Sequence, residues 1–224
     1  MTARRPRQLN PRKIPRQARS EATVRAIFEA TIQVLLQLGF ARLTTTRVAE
    51  RAGVSVGTMY QYFPNKEALL HAVVSHYLDR VAAAVEESCA RTMGKPLGTA
   101  SDALVSAYVM AKCGDIAASQ ALYRASSELE VSEPVTAAFG RLNRAAARLL
   151  GSAPDAAFED IEDVAFSLVA ALTGATRVAI ENNADRRGLD AFHRKMLEMS
   201  RAFLHSASMA RSRQSAVRDE RPVP

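Results

Sequence analysis

The side chains best equipped to recognise a partner fall in one short stretch, Leu43–Lys66, reading LTTTRVAERAGVSVGTMYQYFPNK. Gln61 carries an amide that can pair with the N6 and N7 edge of adenine. Thr58 offers a methyl for the thymine methyl. Tyr60 and Tyr62 carry phenols and Lys66 an ammonium, and all three can donate to phosphate oxygens. Thr44 and Ser55 add hydroxyls, while Val56 and Gly57 keep the neighbouring surface small. This is chemistry for reading and gripping a nucleic acid.

Elements must hold those groups in place. Thr44 is a good N-cap, and Val48, Ala49 and Ala52 share one face of the helix that follows. Gly53 suits the left-handed residue that ends this helix and swings the chain into the next. Ser55 caps a second helix running from Val56 to Phe63; Pro64 stops it, and Asn65 caps a third. Steps of 100° put Met59 and Phe63 on the inner side of the second helix and Gly57, Thr58 and Gln61 on the outer side. Tyr60 and Tyr62 lie on opposite flanks. A helix-turn-helix sets its second helix in the major groove with N-terminal residues at base edges. Lys66, in the first turn of the third helix, joins backbone N–H groups that favour an anion. The alternative is a helical corner of an all-α protein in which both tyrosines simply pack.

Residues 20–70, most closely TTTRVAERAGVSVGTMYQYFPNKEALL (Thr44–Leu70), resemble the DNA-binding domain of the TetR family of bacterial transcriptional regulators, without a gap. The rest of the chain carries no comparable motif. The resemblance implies an operator of double-stranded DNA, a homodimer, and a second domain that diverges with its ligand. It further implies a small-molecule inducer whose identity the residues do not disclose.

Composition and charge agree with that reading. The chain has 224 residues, room for one large or two small domains, and 48% of them are hydrophobic. Pro and Gly are sparse after residue 16, and no alternating Val/Ile/Thr run is bounded by turns, so the expectation is all-α. No run of 18 apolar residues suggests a membrane span, and no apolar stretch follows the basic N-terminus, so the expected location is the cytoplasm. Residues 1–66 hold 12 Lys/Arg against 3 Asp/Glu, net +9, and residues 67–224 hold 18 against 20, net −2. Basic charge gathered on the segment with the motif is the footprint of DNA binding; a solvated basic surface or an arm for an anionic membrane would show the same excess.

The order along the chain follows. Residues 1–19 carry seven Lys/Arg, three Pro and no acid, and read as a disordered basic arm, drawn to phosphates in general or laid in a minor groove. Residues 20–66 form the three-helix DNA-binding domain. Its first helix, Ser20–Leu38, shows a stripe of Val24, Ile27, Phe28, Thr31, Leu35 and Leu38 that closes a small core with Phe40, Val48, Met59 and Phe63. Residues 67–210 form a helical effector-binding and dimerisation domain, and 211–224 a disordered tail. A long helix runs from Asn65 to about Met93, and others are expected at 99–113, 115–129, 133–150, 156–183 and 188–209. The acidic run Glu159, Asp160, Glu162 and Asp163 opens the fourth of these, where the macrodipole favours it.

That fourth helix is apolar on two faces, one with Leu168, Leu172 and Ala175, another with Phe166 and Val169, so it must be covered from two sides. With Phe192, Met196 and Phe203 of the last helix it is expected to build a four-helix dimer interface; a centrally buried helix in a monomer is the alternative. Met93, Tyr108, Met110, Tyr123, Phe139 and Phe166 are the large side chains that would line an effector pocket, or else are ordinary core. Cys89 and Cys113 stand far apart and read as reduced thiols. The four histidines have no metal-ligand spacing, and no nucleophile elbow, P-loop or dinucleotide fingerprint occurs, so neither enzyme nor cofactor is expected. The function read here is a dimeric repressor released from an inverted-repeat operator by a small apolar effector. A DNA-binding regulator without an inducer, or an activator, remains open.

Overall fold

The computed structural model describes residues 18–127, 131–182 and 185–219, with side chains over 20–127, 131–182 and 185–208. Among the described residues there is no strand. The helices are α1 (Ala18–Leu38), α2 (Thr45–Ala52), α3 (Val56–Tyr62), α4 (Lys66–Thr92), α5 (Leu97–Cys113), α6 (Ile116–Ser126), α7 (Ser132–Gly151), α8 (Ile161–Glu181) and α9 (Arg186–Asp219), with a 3₁₀ turn at Phe40–Arg42. Most of the basic arm expected at residues 1–19 lies outside the described residues.

The chain divides into two compact units. One comprises the chain through Leu78 together with Ile116–Val135; the other comprises Asp79–Asp115 and the chain from Thr136 on. The division therefore falls about three turns beyond Lys66, and a later segment returns to the first unit. The cause is packing. Leu69, Leu70, Val73 and Val74 of α4 and Leu122 and Ala125 of α6 are buried in one cluster with Ile27, Leu43, Val48, Met59 and Phe63. The α1 stripe contributes Ile27 and Leu35 to it, with Val24, Phe28 and Leu38 partly buried around it. The Phe28 ring lies 5.9 Å from that of Phe63 and 5.2 Å from that of His76. Each such ring or aliphatic side chain contributes about 1.5–3 kcal/mol on burial. Tyr77 and Ser119 share a hydroxyl–hydroxyl bond of 2.6 Å that ties α4 to α6.

In the second unit, α5 turns Ala100, Leu104, Val105 and Tyr108 inward, α8 turns Ala165, Leu168, Val169, Leu172 and Ile180 inward, and α9 turns Leu189, Met196 and Leu204 inward. Polar ties hold the helices in register. Arg141 donates to both carboxylate oxygens of Glu86, at 2.9 and 2.6 Å, and to Asp79 at 2.9 Å. The fork of Arg141 holds the Glu86 carboxyl below its ordinary pKa. Arg201 forks onto Asp102, and Ser106 meets His193 at 3.0 Å.

Two boundaries differ from the sequence reading. The fourth late helix starts at Ile161 rather than 156, because Asp160 caps it by accepting from the Asp163 N–H at 3.0 Å. That gives the acidic run a structural task. The last helix continues to Asp219, past the tail expected from Arg211, since no Pro or Gly stands before Pro222. By length and composition α8 also matches a membrane span, with a mean hydropathy of 1.4. Its first turn carries Glu162 and Asp163, and its inner face is buried among the unit's other helices. Its apolar character serves that packing.

Several residues expected at an interface or pocket are placed elsewhere. Leu168, Leu172 and Met196 are buried within the subunit's own helices, and Ala175 and Phe192 are half-buried. Val169 of the second apolar face is buried as well, and the part of α8 left open carries Phe166 at 52% and Val178 at 56% exposure, joined on α9 by the exposed Met199 and Phe203. The assignment of Leu168 and Leu172 to the outer face fails because both faces are apolar, and only the packing of α5 and α9 decides which is covered. Of the pocket residues, Met93 and Met110 are exposed, Tyr108 is core, and Tyr123 belongs to the first unit. Phe139 and Phe166 meet, edge to face at 5.5 Å.

Candidate nucleic-acid interface

The helix-turn-helix is set by local hydrogen bonds. The Thr44 side chain accepts from the Arg47 N–H at 3.3 Å, which starts α2. Gly53 ends it with φ +67°, donating its N–H to the Glu50 carbonyl, and the Val54 N–H reaches the Ala49 carbonyl at 3.0 Å. A left-handed residue at this site is what lets the next helix start after two residues. Ser55 Oγ accepts from the Thr58 N–H at 2.9 Å and also meets Thr58 Oγ1 at 2.9 Å. Asn65 Oδ1 accepts from the Ala68 N–H at 2.7 Å and starts α4. Each cap satisfies an N–H that the first helical turn otherwise leaves without a partner.

On this frame the two sides of α3 separate. Met59 and Phe63 are buried, while Ser55, Val56, Gly57, Tyr60 and Gln61 are exposed and Thr58 and Lys66 half-exposed. Tyr62 is the exception to the flanking arrangement. It is buried, its ring 6.2 Å from that of Phe63, so its side chain forms part of the core beneath α3. Tyr62 is the last residue of α3, next to Phe63, and its ring joins the core with that of Phe63.

Gly57 needs no special backbone angle. A Cβ there would meet only Ser55 Oγ at an ordinary 3.7 Å, so nothing within the chain demands glycine. Glycine inside a helix costs roughly 1 kcal/mol relative to alanine. A bare backbone on the exposed side of α3 is instead what a close-approaching groove wall requires.

The same unit carries several cations near its surface. The Lys66 ammonium sits 4.5 Å above the Phe40 ring, which holds it without consuming its hydrogen-bond donors on an acceptor. Arg47 Nη1 donates to the Arg42 carbonyl at 2.6 Å, and Arg51 Nε donates to Gln33 Oε1 at 2.6 Å. These arginines are exposed and were not singled out from the sequence, although the basic excess before residue 67 was their signal. Thr45 was also missed: it is buried at the start of α2, and its hydroxyl donates to the Tyr60 phenol oxygen at 3.2 Å.

The thiols offer no comparable chemistry. Burial pushes the Cys89 pKa up to about 11 and raises that of Cys113, so both are protonated at neutral pH.

Comparison with known proteins gives the same picture at two scales. Residues 27–73 match the model of bacterial regulatory proteins of the tetR family, and residues 96–204 match that of the tetracyclin repressor-like C-terminal domain. The HTH-type transcriptional repressor KstR of Mycolicibacterium smegmatis is 36% identical over 62 residues, covering 28% of this chain and 30% of the repressor. The chain thus matches about a third or less of that relative's length. A solved structure described as the molecular basis for control of antibiotic production by a bacterial hormone is 26% identical, with a TM-score of 0.65 over 84% of this chain and 99% of that one. The fatty acid degradation regulator FadR of Bacillus halodurans has the same fold, with 16% identity and a TM-score of 0.64 over 84% of this chain and 96% of that one.

Proposed function

The chain belongs to the TetR family of bacterial transcriptional regulators, and on that footing we propose that it is a sequence-specific DNA-binding repressor acting as a homodimer. The observation that carries the reading is α3 itself. Its inner side is anchored by Met59 and Phe63, while Gly57, Tyr60 and Gln61 are exposed and Thr58 half-exposed, in a unit that also exposes Arg47 and half-exposes Lys66. Gln61 reads a base edge, Thr58 a methyl, and Tyr60, Lys66, Thr44 and Ser55 hold phosphates.

Two such helices in a dimer must enter successive major grooves, so the operator is an approximate inverted repeat with half-sites one helical turn apart or a multiple of it. The outward side of α8 and α9, with Phe166, Val178, Met199 and Phe203, is the surface we assign to the second copy. Single exposed apolar residues are ordinary, but four on two neighbouring helices suit an isologous contact.

The effector is a small, largely apolar molecule bound by the second unit. The structure described for hormone control of antibiotic production supports a diffusible compound as the kind of signal. Such a ligand releases DNA only through its differential affinity for the DNA-competent and incompetent shapes. A coupling of about 1–3 kcal/mol lowers operator affinity about 5- to 150-fold, and operator DNA weakens ligand binding by the same factor.

The test is enrichment of duplexes from a random-sequence pool by the full-length protein. An inverted repeat is expected, and Gln61→Ala should relax preference at one base pair per half-site by about 1–3 kcal/mol. Equal losses for Gln61→Ala on enriched and scrambled DNA would refute the base-reading assignment.

A further inference from the structure

Resting on the DNA-contact reading above, we propose that Thr45 is a positioning residue that holds the Tyr60 phenol with its proton directed outward, as a donor to a DNA phosphate. The two side chains come from different helices. Thr45 is the first residue of α2 and is 7% exposed; Tyr60 lies on α3 and is 43% exposed. Thr45 Oγ1 donates to Tyr60 Oη.

Helical threonine hydroxyls commonly bond back to the carbonyl one turn earlier. Thr31 does this in α1, donating to the Ile27 carbonyl at 2.7 Å. Thr45 has no helical turn before it, because α2 begins there, so its proton is spared for Tyr60. Its β-branched side chain has few rotamers in a helix and makes a stiff post.

A phenol has one proton and acceptor lone pairs. With Thr45 giving its proton to the phenol oxygen, the Tyr60 proton must go elsewhere, and the exposed side of the ring is solvent. A phosphate oxygen accepts only, so the pair presents the polarity that a phosphate needs. Thr44 is comparable: its oxygen accepts from the Arg47 N–H, which leaves its own proton for another acceptor. The contact from Tyr60 is neutral and therefore displaces no counterion, unlike that of Lys66. At 3.2 Å the tether is long for two hydroxyls, so its effect is modest.

The experiment compares Thr45→Val, Thr45→Ser, Tyr60→Phe and the Thr45→Val/Tyr60→Phe double variant of the full-length protein. Binding is measured at several salt concentrations to a duplex enriched by the wild type and to a scrambled duplex. Thr45→Val and Tyr60→Phe should each weaken both duplexes by about 3- to 10-fold, the loss of one hydrogen bond. The double variant should bind no worse than the weaker single variant, as expected for one shared interaction. Thr45→Ser should restore wild-type binding, and the salt slope should not change. Wild-type binding by Thr45→Val, multiplied losses in the double variant, or a lowered slope would overturn the proposal while leaving DNA recognition intact. A wild-type protein that enriches no duplex would instead overturn the DNA reading and this proposal with it. If Thr45→Val melts below the assay temperature, Thr45→Ala takes its place under the same criteria.

Discussion

The α2–α3 corner and the α5–α8–α9 packing solve the same problem by different means. In the corner, short-range bonds decide the geometry: Thr44 caps at three residues' distance, Gly53 turns the chain, and Ser55 caps again. In the second unit the ties are long-range, as in Arg201 to Asp102 and Arg141 to Glu86, and α8 is apolar on more than one face. Local capping makes the corner readable and stiff. Long-range packing makes the inner and outer sides of the second unit depend on which helices meet.

The strongest way to break this comparison is a pair of substitutions on α8. Leu168→Asp places a carboxylate in the subunit's own core, losing a buried leucine worth about 2–5 kcal/mol and adding the cost of a buried charge. It should unfold the second unit, read by circular dichroism. Val178→Asp, on the outer side, should keep the helical signal and shift sedimentation from dimer to monomer. A folded Leu168→Asp monomer would reverse the assignment of the two faces.

The second test is electrostatic. Lys112 is buried on α5, and desolvation lowers its pKa to about 7, with nearby Arg177 adding to the shift. The unfolded chain holds this proton up to the ordinary lysine range, while the folded chain releases it near pH 7. Between those values the unfolded state binds more protons, so stability rises with pH from about 7 toward 10.5. Lys112→Met should stabilise the protein at neutral pH by about 1–4 kcal/mol and flatten that rise in thermal melts. A rise that survives the substitution would point to other groups.

Gly53 tests the corner at a smaller scale. An alanine meets no atom there, but the left-handed backbone at φ +67° costs an L-residue about 1–2 kcal/mol. Gly53→Ala should lower the thermal midpoint accordingly; no change would mean the turn relaxes without cost.

Gly57 and Gly174 should show the smallest effects on stability and the sharpest contrast in function. Neither has a positive φ or a neighbour that a Cβ would strike. Alanine at either should stabilise its helix by about 0.5–1 kcal/mol. Gly57→Ala should nonetheless weaken DNA binding, and Gly174→Ala, at a position exposed on α8 between Phe166 and Val178 of the surface assigned to the second copy, should weaken only self-association, measured by fluorescence anisotropy and sedimentation.

Much of the first unit was legible because its signals are local. Thr44, Gly53, Ser55 and Asn65 mark the helix ends through bonds spanning a few residues, and Met59 with Phe63 falls on one side at 100° per residue. The same arithmetic misplaced Tyr62, since a flank on a helical wheel does not say whether a ring folds under. Leu168 and Leu172 were recognised as needing cover, but two apolar faces on one helix leave the choice to whatever packs first. Nothing near residues 116–135 announces that α6 completes the core of the first unit. Leu122 and Ala125 read as one apolar stripe among several, and the partner α1 lies about ninety residues away in sequence. The Thr45–Tyr60 bond was equally invisible, because it joins two helices across the turn. In the first unit sequence determined where helices start and stop, and throughout it showed which sides seek cover, because caps and periodicity act within a turn or two. Tertiary structure alone decided which apolar side meets which, because burial is a pairing between distant segments that no single segment encodes.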